Sequence, residues 1–237
     1  MQVLKIDNLQ VAYGGAHILH GVSLEVGKSE CVAVLGPNGA GKTTLMRAIT
    51  GFAPIVGGDV IYEGKKITGM KPHLYVGMGI MHCLENRRLF PEFTVKDNLM
   101  MGAYALNDKN QIKENLERCY EIFPRLKERE KQIAQTMSGG EQQMLSIARG
   151  LMAGPKFLML DEPSVGLAQI VKEKIFEGIE RIKKEGVTIL LVEQDSVMAM
   201  GLADRLYILE GGKIKLSGTR DEIEKNPYVK NIYLGVA

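Results

Sequence analysis

The segment Gly36-Pro37-Asn38-Gly39-Ala40-Gly41-Lys42-Thr43 fits the pattern G-x-x-x-x-G-K-[ST], between an apolar run and a helix-forming stretch. Glycines let successive backbone N–H groups curl around phosphate oxygens, and a helix N-terminus adds partial positive charge. Lys42 would reach the β- and γ-phosphates, and the Thr43 hydroxyl, with Thr44 next to it, would face Mg²⁺. A glycine-rich turn matching by chance would have no reason to sit between a strand and a helix, so these residues point to nucleoside triphosphate binding. Leu158-Met159-Leu160-Asp161-Glu162 supplies carboxylates at the end of an apolar run. Asp161 suits the outer coordination of Mg²⁺, and Glu162 is placed to polarise an attacking water as general base. Glu162 could instead be a helix N-terminal charge or a salt-bridge partner, but an acid pair ending an apolar strand is costly without a cation. Met137-Ser138-Gly139-Gly140-Glu141 places a hydroxyl and two glycines at a helix start, a second anion cradle. Ile189-Leu190-Leu191-Val192-Glu193-Gln194-Asp195 ends an apolar strand in an amide. Gln194 can donate and accept hydrogen bonds but cannot carry a proton, which fits it for positioning.

The elements that must hold these residues follow from periodicity. Leu4 to Tyr13 and Val22 to Val26 read as short strands separated by Gly14-Gly15, and His17 and His20 fall before the second strand. Cys31–Leu35, Phe157–Leu160 and Thr188–Val192 are continuous apolar runs, as expected of strands buried on both faces. Helices are expected at about Gly41–Ile49, Val95–Ala105, Gln111–Phe123, Gly139–Met152 and Ile170–Lys184, with Ile112, Leu116, Tyr120 and Phe123 on one stripe. Val60–Ile67 and Tyr207–Ser217 read as hairpin segments, and the mixed-sign run Arg125–Lys131 as a solvated helical surface. The result is an α/β core with an inserted helical piece from about Glu85 to Gln135.

Composition narrows the class. Of 237 residues, 45% are hydrophobic and 24% charged, the balance of an ordinary globular protein. Thirty Lys and Arg against 28 Asp and Glu leave no basic footprint for nucleic acid. Cys31, Cys83 and Cys119 are far apart and odd in number, which fits a reducing compartment. No apolar run of about 18 residues occurs, and Met1–Lys5 lacks a signal peptide's apolar stretch. The expectation is a chain that is cytosolic or meets a membrane through a partner.

In combination these motifs resemble those of the ATP-binding cassette (ABC) ATPases, over almost the whole chain. Gly36–Thr43 looks like that family's Walker A motif, Phe157–Glu162 like Walker B, and Ser138–Glu141 like the signature loop. The resemblance assigns Tyr13 to stacking on adenine and Gln194 to the switch position near the γ-phosphate. It implies a P-loop NTPase core with a mixed or parallel sheet, an N-terminal antiparallel β subdomain and an inserted helical subdomain. On that reading residues 1–237 form one ATP-binding domain, with core 1–84 and 149–237 and helical part 85–148. ATP and Mg²⁺ are the implied cofactors, with Thr43, Asp161 and Glu85 facing the metal. Cassettes of this family pair head to tail, so that Ser138, Gly139, Gly140 and Glu141 would complete the other subunit's ATP site.

A narrower branch is also suggested. Glu85–Pro91 followed by Thr94–Leu99, together with Pro163–Ala168, Leu191–Asp195 and the C-terminal segment Asn226–Gly235, is similar to the second ATPase subunit of branched-chain amino-acid importers. That resemblance implies a second ATPase subunit in a homo- or heterodimer, two transmembrane permease subunits, an external binding protein, and a place on the cytoplasmic face of the membrane. The coupling surface would lie near Glu85–Asn98. Four positions depart from the general family pattern: Glu85 for a loop glutamine, Glu141 for the signature glutamine, Ala168 for an aspartate and Gln194 for a histidine. Glu85 would be a harder Mg²⁺ ligand than an amide but would repel the γ-phosphate; a salt bridge to Arg87 or Arg88 is its plainer reading. Other readings are a cassette ATPase for another small solute, a non-transport cassette acting in translation or DNA repair, and a small GTPase or P-loop kinase. The last lacks an Asn-Lys-x-Asp guanine motif here and gives the Ser138 cradle no role.

Overall fold

The structure, a computed structural model, describes residues 1–234; Gly235 of the C-terminal segment lies outside the described residues. The chain runs through β1 (Gln2–Tyr13), β2 (Ala16–Gly27), β3 (Cys31–Leu35), α1 (Lys42–Ile49), β4 (Ile55–Tyr62) and β5 (Lys65–Lys66). Next come α2 (His73–Gly77), β6 (Ile80–Cys83), α3 (Val95–Gly102), α4 (Lys109–Ile122), α5 (Pro124–Glu128), α6 (Gly139–Leu151), β7 (Phe157–Asp161) and α7 (Gln169–Lys184). Last are β8 (Thr188–Glu193), α8 (Ser196–Leu202), β9 (Arg205–Glu210), β10 (Lys213–Thr219), α9 (Arg220–Lys225) and α10 (Pro227–Val229). They form two compact units, Met1–Pro72 with Thr188 onward, and His73–Val187.

The first unit contains an antiparallel sheet, β2-β1-β4-β5, and the strands β10-β9-β3-β8. Gly14 and Gly15, both at positive φ, make the β1–β2 turn that their dipeptide announces. Both strands are longer than alternation suggests, since bulges at several points of β1 interrupt the period-two pattern while pairing continues. His17 and His20 therefore lie within β2, their rings stacked 6.1 Å apart. In the second set, β3 is parallel to both β8 and β9, and every residue of β3 and β8 is buried. The β9–β10 hairpin turns at Gly211-Gly212. Near the C-terminus the Tyr228 and Tyr233 hydroxyls both donate to Glu210 Oε1, at 2.5 and 2.9 Å.

The second unit pairs β6 with β7 in parallel and sets α6 against α3, α4, α5 and α7. This unit takes in β6, β7 and α7 besides the helices of the 85–148 stretch: β6 and α7 pack on α6, and β7 pairs with β6. Helix α3 stops at Gly102, short of the expected Ala105. A Cβ there would meet the Arg149 carbonyl oxygen at 2.0 Å, so α3 and α6 touch backbone to backbone. The Arg125–Lys131 run is helical only as far as Glu128.

All three thiols are buried. The Cys119 thiol donates to the Ala148 carbonyl at 3.2 Å, and Cys83 Sγ lies 3.9 Å from the Ser146 carbonyl oxygen. Burial pushes both thiols up from 9.0 to about 12. Since their folded pKa values are raised, their contribution to stability is full below pH 9 and is lost as pH rises from 9 towards 12. The urea midpoint should therefore fall between pH 9 and 10.5, with up to about 1.4 kcal/mol per pH unit from each thiol at its steepest. Folded chain should also resist a thiol-specific disulfide reagent at pH 8; rapid release of a thiol equivalent would contradict this burial.

Candidate functional site

In the first unit, β3 delivers the chain into the Gly36–Gly41 loop. Gly36 is pressed so close to β9 that a Cβ would lie 2.2 Å from the Leu209 carbonyl oxygen. Gly39 and Gly41 take φ values of 78° and 105°, which only glycine adopts without strain. Ala40 carbonyl accepts the Gly212 N–H at 3.1 Å, which fastens the loop to the β9–β10 turn. Gly41 caps α1 without any side-chain acceptor. A helix N-terminus with a glycine cap is a place where backbone N–H groups can take an anion. Lys42 is buried, and its Nζ donates to the carbonyls of Gly36 at 2.8 Å and Pro37 at 3.2 Å. Pro37, Asn38 and Gly39 are exposed, whereas Thr43 and Thr44 are half-buried. Tyr13 stands at the end of β1 and is 40% exposed. Because Leu35 and Glu193 are in register on adjacent parallel strands, Gly36 and Gln194 leave the same sheet edge side by side. Carboxyl ends of parallel strands are where open α/β sheets bind ligands.

The second unit repeats that logic. Cys83 and Leu160 are in register on parallel β6 and β7, so Glu85, Asp161 and Glu162 emerge from one end of the pair. Asp161 is buried at 2% exposure, and Glu162 is half-buried with a left-handed φ of 47°. Ser138 caps α6 in a reciprocal box: its Oγ accepts the Glu141 N–H at 3.4 Å, and Glu141 Oε2 accepts the Ser138 N–H at 3.0 Å. The Ser138 hydroxyl also donates to that carboxylate at 2.9 Å, and Arg129 Nε pairs with it at 2.9 Å. Burial alone would raise the Glu141 carboxyl, but the Ser138 hydrogen bonds and the Arg129 and Arg125 charges hold it below the usual carboxylate range. Glu141 thereby completes a reciprocal cap at the start of α6 although it is not an amide. Gly140 is packed so that a Cβ would lie 2.1 Å from Val171 Cγ1. At α7 the N-cap is Ala168, which makes no side-chain cap bond where an aspartate would.

Sequence reasoning missed the fixing of the Glu85 loop. Asn86, Arg87 and Arg88 are three successive non-glycine residues at positive φ. Ser146 Oγ and Arg149 Nη2 donate to the Arg87 carbonyl at 2.8 and 3.2 Å, and Arg87 Nη1 donates to Gln142 Oε1 at 3.1 Å. Partners more than 50 positions away leave no local signal. Thr43 in the first unit, and Asp161 with Glu85 in the second, each offer oxygen donors, the hard type that Mg²⁺ takes. Among the described residues no group of three or more His, Cys, Asp or Glu could cage a metal. A Mg²⁺ that takes few protein ligands and shares its shell with phosphates does not need such a cage.

A strand–glycine loop–helix cradle, an acid pair ending a buried parallel strand and a capped Ser-Gly-Gly helix define a class of protein. Residues 19–165 match the ABC transporter family, and the chain belongs to it: this is an ABC ATPase. It is 46% identical to the high-affinity branched-chain amino acid transport ATP-binding protein BraG of Pseudomonas aeruginosa, covering 98% of this chain and 100% of BraG. It is 35% identical to the probable branched-chain amino acid transport ATP-binding protein LivF of Archaeoglobus fulgidus, over 99% of both chains. The fold superposes on the ADP conformation of MJ1267, an ATP-binding cassette of an ABC transporter, with a TM-score of 0.85, 30% identity and 99% coverage of both. The α/β architecture with its antiparallel sheet and helices is the one the sequence resemblance implies. No helix among the described residues is long and apolar enough to cross a membrane.

Proposed function

We propose that this ABC ATPase drives an importer for branched-chain or related hydrophobic amino acids. The observation that carries the substrate class is the full-length likeness to BraG, at 46% identity without a gap in coverage of that relative. ATP would lie in the Gly36–Thr44 cradle with adenine on Tyr13. Lys42 would exchange the Gly36 and Pro37 carbonyls for β- and γ-phosphate oxygens, a swap of neutral acceptors for charged ones. Thr43, Asp161 and Glu85 would hold Mg²⁺, which when bound supplies charge neutralisation at the phosphates. Glu162 would take the proton of the attacking water, and Gln194 would orient the γ-phosphate. Ser138, Gly139, Gly140 and Glu141 would complete the site of a second ATPase subunit. Phe90, Phe93, Met100, Met101 and Tyr104 are each at least 40% exposed, an apolar surface suited to permease subunits at the cytoplasmic face of the membrane. An external binding protein would deliver the solute.

In vesicles carrying the assembled complex, leucine, isoleucine or valine with the binding protein should raise ATP turnover. Turnover indifferent to those solutes would sink the substrate assignment, and recovery of the chain with ribosomes or DNA would sink import altogether. At the switch position, Gln194→His should retain hydrolysis, because an imidazole can also donate to phosphate. Gln194→Glu should lower it about tenfold or more by setting a negative charge against phosphate. Phosphate release at saturating ATP decides the matter, and a fully active Gln194→Glu would remove this side chain from the site.

A further inference from the structure

A carboxylate that the proposed chemistry does not use sits directly before the switch glutamine. Glu193, the last residue of β8, is 0% exposed, while Gln194 after it is exposed. Taking a carboxylate out of water is expensive unless its lone pairs are occupied by donors. Here Oε2 accepts two successive backbone donors, the N–H of Gln194 at 3.0 Å and that of Asp195 at 3.3 Å. One buried oxygen therefore gathers the turn that carries the chain off the strand. Asp195 secures the far side, its Oδ1 accepting the Met198 N–H at 3.2 Å to cap α8. Ser196 Oγ donates to the Tyr233 carbonyl, tying the start of α8 to the C-terminal segment. The turn that carries Gln194 is thus held on both sides, while Gln194 itself is exposed. Glu193 lies opposite Leu35 in the parallel register, one residue before Gly36. The anchored turn and the phosphate-cradling loop therefore start from the same level of adjacent strands.

We infer that Glu193 is a positioning residue for Gln194: by binding the Gln194 and Asp195 N–H groups it aims the Gln194 amide at nucleotide held in the Gly36–Thr44 loop. The inference rests on the proposed reading of Gln194 as the γ-phosphate switch. Its chemistry explains the residue type. Both backbone groups are donors, so the anchor must accept, and it must reach back from the strand terminus to the turn it supports. A glutamine at 193 has the reach and one acceptor oxygen but also places an N–H₂ group in the buried site, whereas an alanine supplies no acceptor.

The test uses the full-length chain with its partner ATPase subunit present. For Glu193→Ala, Glu193→Gln, Gln194→Ala and the double variants, kcat and KM for MgATP are measured beside the equilibrium affinity of a fluorescent ATP analogue and thermal melts. A displaced catalytic geometry can cost up to about 100-fold in rate. Glu193→Ala should lower kcat by roughly tenfold to 100-fold with KM and analogue affinity within about twofold, and Glu193→Gln should recover part of the loss. Because both residues act through one group, Glu193→Ala/Gln194→Ala should be no slower than the slower single variant. A double variant whose loss is the product of the two single losses would overturn the proposal, as would full turnover in Glu193→Ala. A fall in kcat and affinity together with the melting temperature would assign Glu193 to folding alone. If Glu193→Ala does not fold, the same cycle run with Glu193→Gln decides between coupled and independent action. Undiminished turnover in Gln194→Ala is a separate result, which removes the switch reading itself and the inference with it.

Discussion

Glu162→Gln is expected to bind ATP as well as the parent chain and to hydrolyse it at least about 100-fold more slowly, the scale of a lost general base. The substitution changes the group that can take a proton and little else. Glu162 stands immediately beyond buried β7 with φ at 47°, a left-handed conformation that costs a non-glycine residue roughly 1–2 kcal/mol. Glutamine bears the same backbone cost in the same place, so the parent and the variant can be compared at equal backbone strain. Strain at this residue is held by its neighbours: the Val165 N–H donates to the Glu162 carbonyl at 3.3 Å, and Pro163 and Ser164 are buried behind it. Phosphate release at saturating ATP, measured beside nucleotide binding, separates chemistry from affinity. Unchanged turnover would take Glu162 out of the role of base.

Gly36→Ala should abolish nucleotide binding. The added methyl carbon would lie 2.2 Å from the Leu209 carbonyl oxygen and 3.2 Å from Ala40 Cβ. The first obstacle is backbone of β9, which cannot swing aside as a side chain would. Either β9 shifts or the loop lifts away from it, and a lifted loop no longer presents its N–H groups to phosphate. Overpacking of this kind costs about 1–3 kcal/mol of stability. Gly39→Ala is the informative control, because that glycine has open space around it and only its φ of 78° opposes a side chain. It should cost roughly 1–2 kcal/mol in stability without moving β9. Thermal melts and titration with a fluorescent nucleotide distinguish the two effects, and tight binding by Gly36→Ala would mean that β9 yields to the loop.

Much of this arrangement is legible in the sequence because strong physical signals are local. Three continuous apolar runs mark β3, β7 and β8, glycine pairs mark two hairpin turns, and the Gly36–Thr43 spacing marks the cradle between a strand and a helix. Short elements without a period were not legible. Helix α2 has five residues and β6 has four, and β6 carries His82 within it. Helix α8, Ser196–Leu202, is rich in small and flexible residues and looks like a loop without its Asp195 cap. Contacts between distant positions were equally silent. Nothing near Glu141 announces Arg129 as its counter-charge, and nothing near Glu85 announces that Gln142, Ser146 and Arg149 fasten the residue two places on. Glu193 was within reach: like Asp161, it is an acid ending an apolar run, and the same cost of burying charge applies to both.

The sealed thiols of the fold make this chain a quiet background for reporter chemistry. With Cys31, Cys83 and Cys119 all inside, a cysteine introduced at an exposed position offers a maleimide dye the accessible target that the native thiols do not. A dye on Asn38 would test for nucleotide at the proposed cradle, and one on Tyr104 would test whether the proposed permease partner covers the apolar surface. Binding and assembly could then be timed separately in one preparation, with the native cysteines left in place.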